Sequence, residues 1–296
     1  MRISNQWSDY ELIDTSCGEK LERWGNIILI RPDPQIIWST LKTNKCWNNY
    51  NARYIRSSSG GGHWDVKKNF PEKWVINYKD LSFIIKPTGF KHTGLFPEQA
   101  TNWDYIYNKI KKSPKQISVL NLFAYTGGAT LFAAKAGAKV CHVDSSKGMV
   151  SWAKENAALC NLSSKPIRWI VDDCIKFINR EYKRNNRYDA IILDPPSYGR
   201  GPNGEIWKLE ENIYELLLMC TKILLFNPSF LILNSYSAGL SSSVMCYLIK
   251  TVLLQRFGKS IINNVNIIAE EIGLNVSANN FNFPCGNTVI VEFYTN

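Results

Sequence analysis

From about residue 96 onward, short apolar runs alternate with longer amphipathic segments, and this alternation leaves few folds open to the chain. Strands that alternate with helices form a parallel sheet covered on both faces. Residues 281–293 hold two further apolar runs, which we expect to close the sheet as a hairpin. The predicted strands are 117–123, 139–144, 167–171, 188–193 and 230–234, and the predicted helices are 102–112, 129–136, 147–160, 175–184, 211–225 and 244–257.

The N-terminal part has a different pattern. Six of the ten tryptophans precede residue 75, and the apolar runs at 26–31, 74–78 and 81–86 are short enough for strands. Residues 57–62 form a serine- and glycine-rich stretch that is typical of a flexible loop. The sequence therefore predicts a small β-rich domain at 1–95 and a Rossmann-like α/β domain at 96–296.

Glycine or aspartate follows each of four successive predicted strands. The turn Phe123–Gly128 follows the first strand, Asp144 ends the second, Asp172-Asp173 follows the third, and Asp194 follows the fourth. In open α/β sheets, ligands bind in the crevice beyond the carboxyl ends of the strands. We expect these four features to converge in one crevice.

The residue types in this crevice suit a nucleoside bearing a carboxylate. Glycines let the backbone approach a ligand closely, and N–H groups at the following helix start suit a carboxylate. Asp144 can accept from both ribose hydroxyls, Asp173 from an adenine amino group, and Cys174 can wall the ring. We therefore predict S-adenosylmethionine (SAM) as the cofactor. The predicted cofactor-binding residues here are Phe123, Tyr125, Thr126, Gly127, Asp144, Ser145, Asp173, Cys174 and Asp194.

Two other interpretations of the glycine turn remain open. A dinucleotide-binding fold needs a third glycine for the pyrophosphate and for close helix packing, and Leu131 stands in that place. Alternatively, the turn and the aspartates have no ligand, as in many α/β proteins.

Asp194-Pro195-Pro196-Ser197-Tyr198 is the candidate catalytic segment. Prolines lack an N–H and fix φ, so they hold a rigid loop. A planar polar acceptor such as a base edge can bond to Asp194 and the Pro195 carbonyl, and Tyr198 can stack on it. The alternative is a tight turn after a buried strand. Residues 199–212 follow, and they suggest either a mobile lid with Trp207 available for stacking or a solvated loop with Trp207 in the core.

These motifs resemble the class I SAM-dependent rRNA methyltransferase family that includes the 23S rRNA cytosine-C5 and guanine-N7 enzymes. The resemblance implies a mostly parallel seven-stranded sheet with a terminal antiparallel hairpin, RNA methylation, and roles for Thr93, Gly94 and Gln99 in closing the SAM site. It covers roughly residue 86 to the C-terminus. The residues that carry it are Phe123-Ala-Tyr-Thr-Gly-Gly128, Val143-Asp-Ser-Ser146, Asp172-Asp-Cys174, Leu193-Asp-Pro-Pro-Ser197 and the segment 86–99.

The chain departs from the family pattern in two places. The family's RNA-binding PUA module has no counterpart, and residues 1–90 correspond at most to the β-rich segment that follows it. Cytosine-C5 members carry a cysteine where Tyr236 stands here. C5 methylation needs a thiolate to add to the base, so the sequence favours a base nitrogen as acceptor. Cys285 is the alternative thiol, and we expect it to be structural.

Charge and composition set the expected partner. The chain has 296 residues and a formal net charge of +10, so a polyanion such as rRNA is the expected partner, although basic composition alone also explains the charge. No apolar stretch reaches the ~18 residues of a membrane span, and the N-terminus lacks the apolar core of a signal peptide. We expect a cytoplasmic protein with no membrane association. The eight cysteines form no C-x-x-C pair, so no metal site is expected. The sequence does not determine the oligomeric state.

Overall fold

The structure is a computed structural model that describes residues 1–57, 61–200 and 206–294. The chain divides into two compact units. Residues 1–2, 101–272 and 285–296 form the first, called here the α/β unit, and residues 3–100 and 273–284 form the second, called here the β unit. The predicted domains at 1–95 and 96–296 stay a prediction, because compactness does not test whether each part folds alone.

The elements follow one another along the chain in this order. The strands are β1 Arg2–Ser4, β2 Tyr10–Ser16, β3 Glu19–Trp24, β4 Ile27–Pro32, β5 Ala52–Arg56, β6 Gly62–Val66, β7 Trp74–Tyr78, β8 Leu81–Ile85, β9 Ser118–Leu122, β10 Lys139–Asp144, β11 Ile167–Val171, β12 Ala190–Leu193, β13 Tyr198–Arg200, β14 Ile206–Lys208, β15 Phe230–Ser235, β16 Val265–Val276 and β17 Phe281–Phe293. The α-helices are α1 Ala100–Lys111, α2 Gly128–Lys135, α3 Lys147–Leu159, α4 Cys174–Lys183, α5 Leu209–Ile223 and α6 Ser242–Phe257.

The α/β unit is built on seven strands of the described chain, in the order β11-β10-β9-β12-β15-β17-β16. The first five are parallel, and β17 runs antiparallel to β15. The predicted Rossmann-like methyltransferase fold is therefore confirmed. Each predicted helix and parallel strand of this unit lies within two residues of its predicted bounds.

Alternating side chains of the central strands enter two separate cores. Leu122, Leu193 and Leu233 belong to the core that contains residues of α4, α5 and α6, whereas Ile192 and Ile232 belong to the core that contains residues of α1 and α2. Side chains alternate between the two faces of a strand, so a strand buried on both faces is apolar throughout. This is why β12 consists of Ala-Ile-Ile-Leu, all buried.

The expected hairpin within residues 281–293 is wrong. That segment is the single strand β17, and its hairpin partner is β16, which was not predicted. Pro284 and Gly286 resemble a turn in the sequence, but the pairing of β17 with β15 runs from Asn287 to Glu292 and does not need a Pro284 N–H. The first half of β16 is only half-buried and therefore lacks a strong apolar pattern.

The β unit contains an antiparallel run β2-β3-β4, a parallel pairing of β4 with β5, and an antiparallel pairing of β5 with β6. Strands β7 and β8 form a separate hairpin whose turn contains Lys79 at φ 52°. The expected β-rich N-terminal region is thus confirmed. Within the predicted flexible loop 57–62, residues 58–60 lie outside the described residues, and Gly62 begins β6. No helix in the described parts of the chain is long and apolar enough to cross a membrane.

Candidate cofactor and acceptor site

The strand register brings the predicted polar residues to one edge of the α/β sheet. Val143 and Leu193 both align with Leu122, and Leu193 also aligns with Leu233. The residues that come next in the chain, Asp144 and Asp194 among them, therefore leave the sheet at the same edge.

The turn between β9 and α2 has an unusual backbone. Phe123, Tyr125 and Gly127 have φ values of 54°, 50° and 91°. Positive φ is uncommon for residues with a side chain and persists only where the surroundings enforce it. Here Ala124 N donates to the Val143 carbonyl at 3.1 Å, and Asn156 Nδ2 donates to the Thr126 carbonyl at 3.0 Å. Neighbouring elements thus fix the turn.

Packing within the protein leaves no room for a side chain at Gly128 and little room for one at Gly127. A Cβ on Gly128 would lie 2.7 Å from Trp103 Cζ2, and a Cβ on Gly127 would lie 3.1 Å from Ala153 Cβ. The Trp103 ring is itself stacked on Phe132 with centroids 5.5 Å apart. The sequence suggested that the glycines serve ligand approach, and the structure adds the close packing of α1 and α3 as a second reason.

Asp144 holds the turn and keeps acceptor capacity. Its Oδ2 accepts from Tyr125 N and its Oδ1 from Ser146 N, each at 2.9 Å. Burial raises the pKa of this carboxyl, and the Ser146 and Tyr125 N–H groups oppose that rise. Within the described ranges, Asp144 forms no ion pair. A half-buried carboxylate with unused lone pairs and no cation nearby is well suited to two hydroxyl donors.

Asp173 has a structural task that the sequence prediction omitted. It is the N-cap of α4, and its Oδ1 accepts from Lys176 N at 2.8 Å. A carboxylate has about four acceptor sites, so the cap leaves room for another donor. Cys174 is buried, which raises the pKa of its thiol, and Ser145 is exposed. Asp172 instead forms an ion pair with Arg180.

The Asp194 loop is held by a tryptophan. Asp194 is half-buried, Pro195 is buried and Tyr198 is 51% exposed. Trp207 Nε1 donates to the Pro196 carbonyl at 2.6 Å, and its ring centroid lies 5.7 Å from that of Phe123. Trp207 therefore contacts both the candidate catalytic loop and the candidate cofactor turn.

The predicted lid is ordered in its described parts. β13 pairs with β14, with Tyr198 opposite Lys208, and α5 begins at Leu209. Residues 201–205 of the predicted segment 199–212 lie outside the described residues. Trp207 packs partly against the core, as in the second of the two interpretations that the sequence left open.

The segment after β15 contains Tyr236, for which the family resemblance predicted the place of the C5 enzymes' cysteine. A Cβ on Gly286 would lie 2.9 Å from Tyr236 Cδ1, so the tyrosine ring packs directly on the Gly286 backbone. Ser237 donates a hydrogen bond to Glu210, the second residue of α5. Cys285 is only 8% exposed. The Tyr236 ring therefore packs next to the residue that follows Cys285 in the chain.

Sequence reasoning missed two buried polar networks near this sheet edge. Asn234 Oδ1 accepts from Asn102 Nδ2 at 3.0 Å and from Thr288 Oγ1 at 2.8 Å. Thr130 Oγ1 lies 2.9 Å from both Asn121 Nδ2 and His142 Nδ1. The only signal in the sequence was a polar residue inside an otherwise apolar strand.

Thr93 and Gln99 belong to the β unit. Thr93 is fully buried, and its Oγ1 has no hydrogen-bond partner in the parts of the chain that the structure describes. Gln99 is buried at the end of the 3-10 helix Pro97–Gln99, and Gly94 has φ 106°. A buried hydroxyl without a partner costs about 1–3 kcal/mol, so it fits a residue that meets a ligand or water. The predicted contact of these residues with SAM stays a prediction.

No cluster of three or more His, Cys, Asp or Glu side chains within residues 1–57, 61–200 and 206–294 is arranged to hold a metal ion.

Known proteins share this arrangement. The family described as Conserved hypothetical protein 95 matches residues 91–217. A ribosomal RNA large subunit methyltransferase K/L from Shewanella oneidensis is 36% identical over 155 residues, which is 52% of this chain and 21% of that protein. The crystal structure of the SAM-dependent methyltransferase from Agrobacterium tumefaciens is 34% identical, covers 100% of this chain and 93% of its own, and superposes with a TM-score of 0.88. This chain belongs to the SAM-dependent methyltransferases.

The membership confirms the expected SAM-dependent methyltransferase family and SAM as its cofactor, whereas the relation to the cytosine-C5 and guanine-N7 enzymes stays a prediction. A candidate SAM-dependent methyltransferase from Streptococcus mutans shares the fold at 18% identity, with a TM-score of 0.73 over 97% of this chain and 76% of that chain. The chain spans about a fifth of the length of the curated rRNA methyltransferases that it matches. The acceptor is therefore taken up as a proposal.

Proposed function

We propose that this SAM-dependent methyltransferase methylates RNA, with rRNA as the acceptor, at a base nitrogen. The observation that supports the proposal most directly is the shared sheet edge. The half-buried Asp144 carboxylate follows Val143 on one side of β9, and the Asp194-Pro195 loop follows Leu193 on the other side. The net charge of +10 and the likeness to rRNA large subunit methyltransferases support RNA as the acceptor.

The chain's own residues suit a bound SAM. Asp144 would accept from the ribose hydroxyls, and Asp173 from the adenine amino group beside the apolar surface of Cys174. Phe123, Tyr125, Thr126 and Gly127 would line the methionine end, where the start of α2 favours a carboxylate. SAM supplies an activated methyl group, so the protein has mainly to position the acceptor and exclude water.

The acceptor would meet the loop after β12. Asp194 and the Pro195 carbonyl would accept hydrogen bonds from the base edge, and the half-exposed Tyr198 ring would stack on its face. Nitrogen is favoured over C5 because Tyr236 packs on Gly286 where a thiol is needed, and Cys285 is buried. A ring nitrogen such as guanine N7 needs no covalent help, and an exocyclic amine needs only an acceptor such as Asp194.

The test is transfer of tritiated methyl from SAM to ribosomal subunits from a strain that lacks this gene, followed by nucleoside analysis. We expect label in rRNA on a nitrogen. Asp194→Asn should lower kcat by about 100-fold or more while the Kd for SAM, measured by calorimetry, is unchanged. Asp65→Asn, a matched change on exposed β6, should leave both values unchanged.

Each other outcome contradicts a stated part of the proposal. Label at C5 would refute the argument from Tyr236. Label in protein or a small molecule, insensitive to RNase, would refute RNA as the acceptor. SAM binding without any labelled product would point to an RNA-interaction protein with little turnover.

A further inference from the structure

Four basic side chains of the β unit lie close enough for the charges of three of them to lower the pKa of the fourth, Lys91. Lys20 lies on β3, Arg31 on β4, Arg56 at the end of β5, and Lys91 on the loop after β8. Arg31 Nη1 donates to the Lys91 carbonyl at 3.1 Å, and Lys91 Nζ lies 3.4 Å from the Pro32 carbonyl. These bonds fix the position of Lys91 beside β4.

The loop that carries Lys91 is tied down along its length. Trp64 Nε1 donates to the Thr88 carbonyl at 2.9 Å, and the Tyr54 hydroxyl donates to the Gly89 carbonyl at 3.1 Å. Thr88 Oγ1 donates to the His92 carbonyl at 2.9 Å. The loop is therefore preorganised, which lowers the entropy cost of binding a ligand there.

The carboxylates of this region are already engaged. Arg31 bonds to both oxygens of the buried Glu22, at 2.6 and 2.7 Å, and Lys20 pairs with Asp33 at 3.2 Å. Across the described ranges, neither Arg56 nor Lys91 has a carboxylate within ion-pair distance. Two positive charges are left uncompensated.

Lys91 is also partly removed from water. Burial and, after it, the nearby charges of Lys20, Arg31 and Arg56 together lower the pKa of Lys91 to about 8, against the opposing effect of Asp33. Burial and the same cations lower the pKa of His92 to about 3, so that ring is neutral. An ammonium group in such surroundings gains more from an anion than an exposed lysine does.

We propose that Lys91 and Arg56 bind a backbone phosphate of the RNA substrate, which rests on the proposed function. A polymer is favoured over a free phosphate because residues 42–91 hold ten Lys or Arg and only three Asp or Glu. Phe90, next to Lys91, is 65% exposed and available for stacking on an unpaired base. The β unit would thus supply RNA affinity.

The test is binding of a labelled rRNA fragment without SAM, over a range of salt concentrations. Loss of one phosphate contact to a single strand should reduce the slope of log Kd against log salt by about 0.7, which is about fivefold in Kd at 0.1 M salt. Lys91→Gln and Arg56→Gln should each show part of this loss, and the double variant the whole of it, about fivefold. Lys91→Arg should retain binding, and Lys250→Gln, at an exposed position of α6, should change nothing.

The remaining outcomes separate this inference from its alternatives. Wild-type Kd and salt slope in the double variant, with thermal unfolding confirming that it is folded, would overturn it. Weaker SAM binding with unchanged RNA binding would overturn it in favour of a cofactor carboxylate. If inorganic phosphate competes as strongly as RNA does at the same concentration of phosphate groups, the inference that the ligand is a polymer would be refuted. If the variants lose RNA binding as expected but the wild-type protein does not methylate rRNA, only the proposed function is refuted.

Discussion

Two matched substitutions test whether the glycine turn is shaped by packing. Gly128 is the first residue of α2, and Gly148 is the second residue of α3. A Cβ at Gly128 would meet Trp103 Cζ2 at 2.7 Å and Cε2 at 2.8 Å, whereas a Cβ at Gly148 would meet only Ser146 Oγ, at 3.8 Å. Trp103 is only 4% exposed and stacked on Phe132, so it cannot move aside freely.

The two alanines should therefore act in opposite directions. Gly→Ala in a helix stabilises by up to about 1 kcal/mol, and this gain is common to both sites. Overpacking a core costs about 1–3 kcal/mol, and only Gly128→Ala incurs it. We expect the two variants to differ by about 1–3 kcal/mol in free energy of unfolding, with Gly148→Ala the more stable.

Urea unfolding followed by fluorescence measures this difference, which corresponds to a midpoint shift of about 1 M. Adding Trp103→Leu to Gly128→Ala should show coupling of about 1 kcal/mol or more, since the truncated side chain leaves room for the methyl. Equal stability of the two alanine variants within about 0.5 kcal/mol, or additive effects in the double variant, would refute the packing argument.

Two further predictions concern His142 and Trp207. Burial lowers the pKa of His142 to about 3. The neutral ring therefore makes its full contribution to the free energy of unfolding above pH 6.5. This contribution is lost as the pH falls from 6.5 towards 3, because over that range only the unfolded chain binds the proton. In His142→Gln, the free energy of unfolding should therefore fall less steeply between pH 6 and pH 4, by at most about 1.4 kcal/mol per pH unit. Urea titrations at several pH values measure this slope, and an unchanged slope contradicts the prediction. Trp207→Phe removes the N–H donor to the Pro196 carbonyl. It should lower kcat by about fivefold, which corresponds to about 1 kcal/mol, and leave the Kd for SAM unchanged. Weaker SAM binding with an unchanged kcat would show that Trp207 acts on the cofactor instead.

The parallel strands and the candidate residues at their ends could be predicted because their signals are local. β10 and β11 have the predicted bounds, since each is a short apolar run bounded by polar residues. β10 is buried along most of its length, whereas β11, at the edge of the sheet, is half-exposed. Asp144 and Asp194 lie at the predicted sheet edge for the same reason. The capping role of Asp173 is also local, and an aspartate just before a helical segment was a signal for it.

Other features depend on residues far apart in the chain. The β16–β17 hairpin was missed because its first strand has no apolar alternation and gains its place by pairing. The sequence could not show that Trp103 lies against Gly128, or whether Trp207 packs inward. The basic cluster around Lys91 depends on a hydrogen bond to Arg31, 60 residues earlier.

The sequence by itself determined the fold class and the order of polar residues along it, because hydrophobic periodicity and glycine turns act over a few residues. Only the tertiary structure decided which glycine has no room for a methyl group, which carboxylates are already paired, and which cations remain uncompensated. Those properties depend on the distances between atoms of different elements, and such distances are set only when the sheet and its surrounding segments pack together.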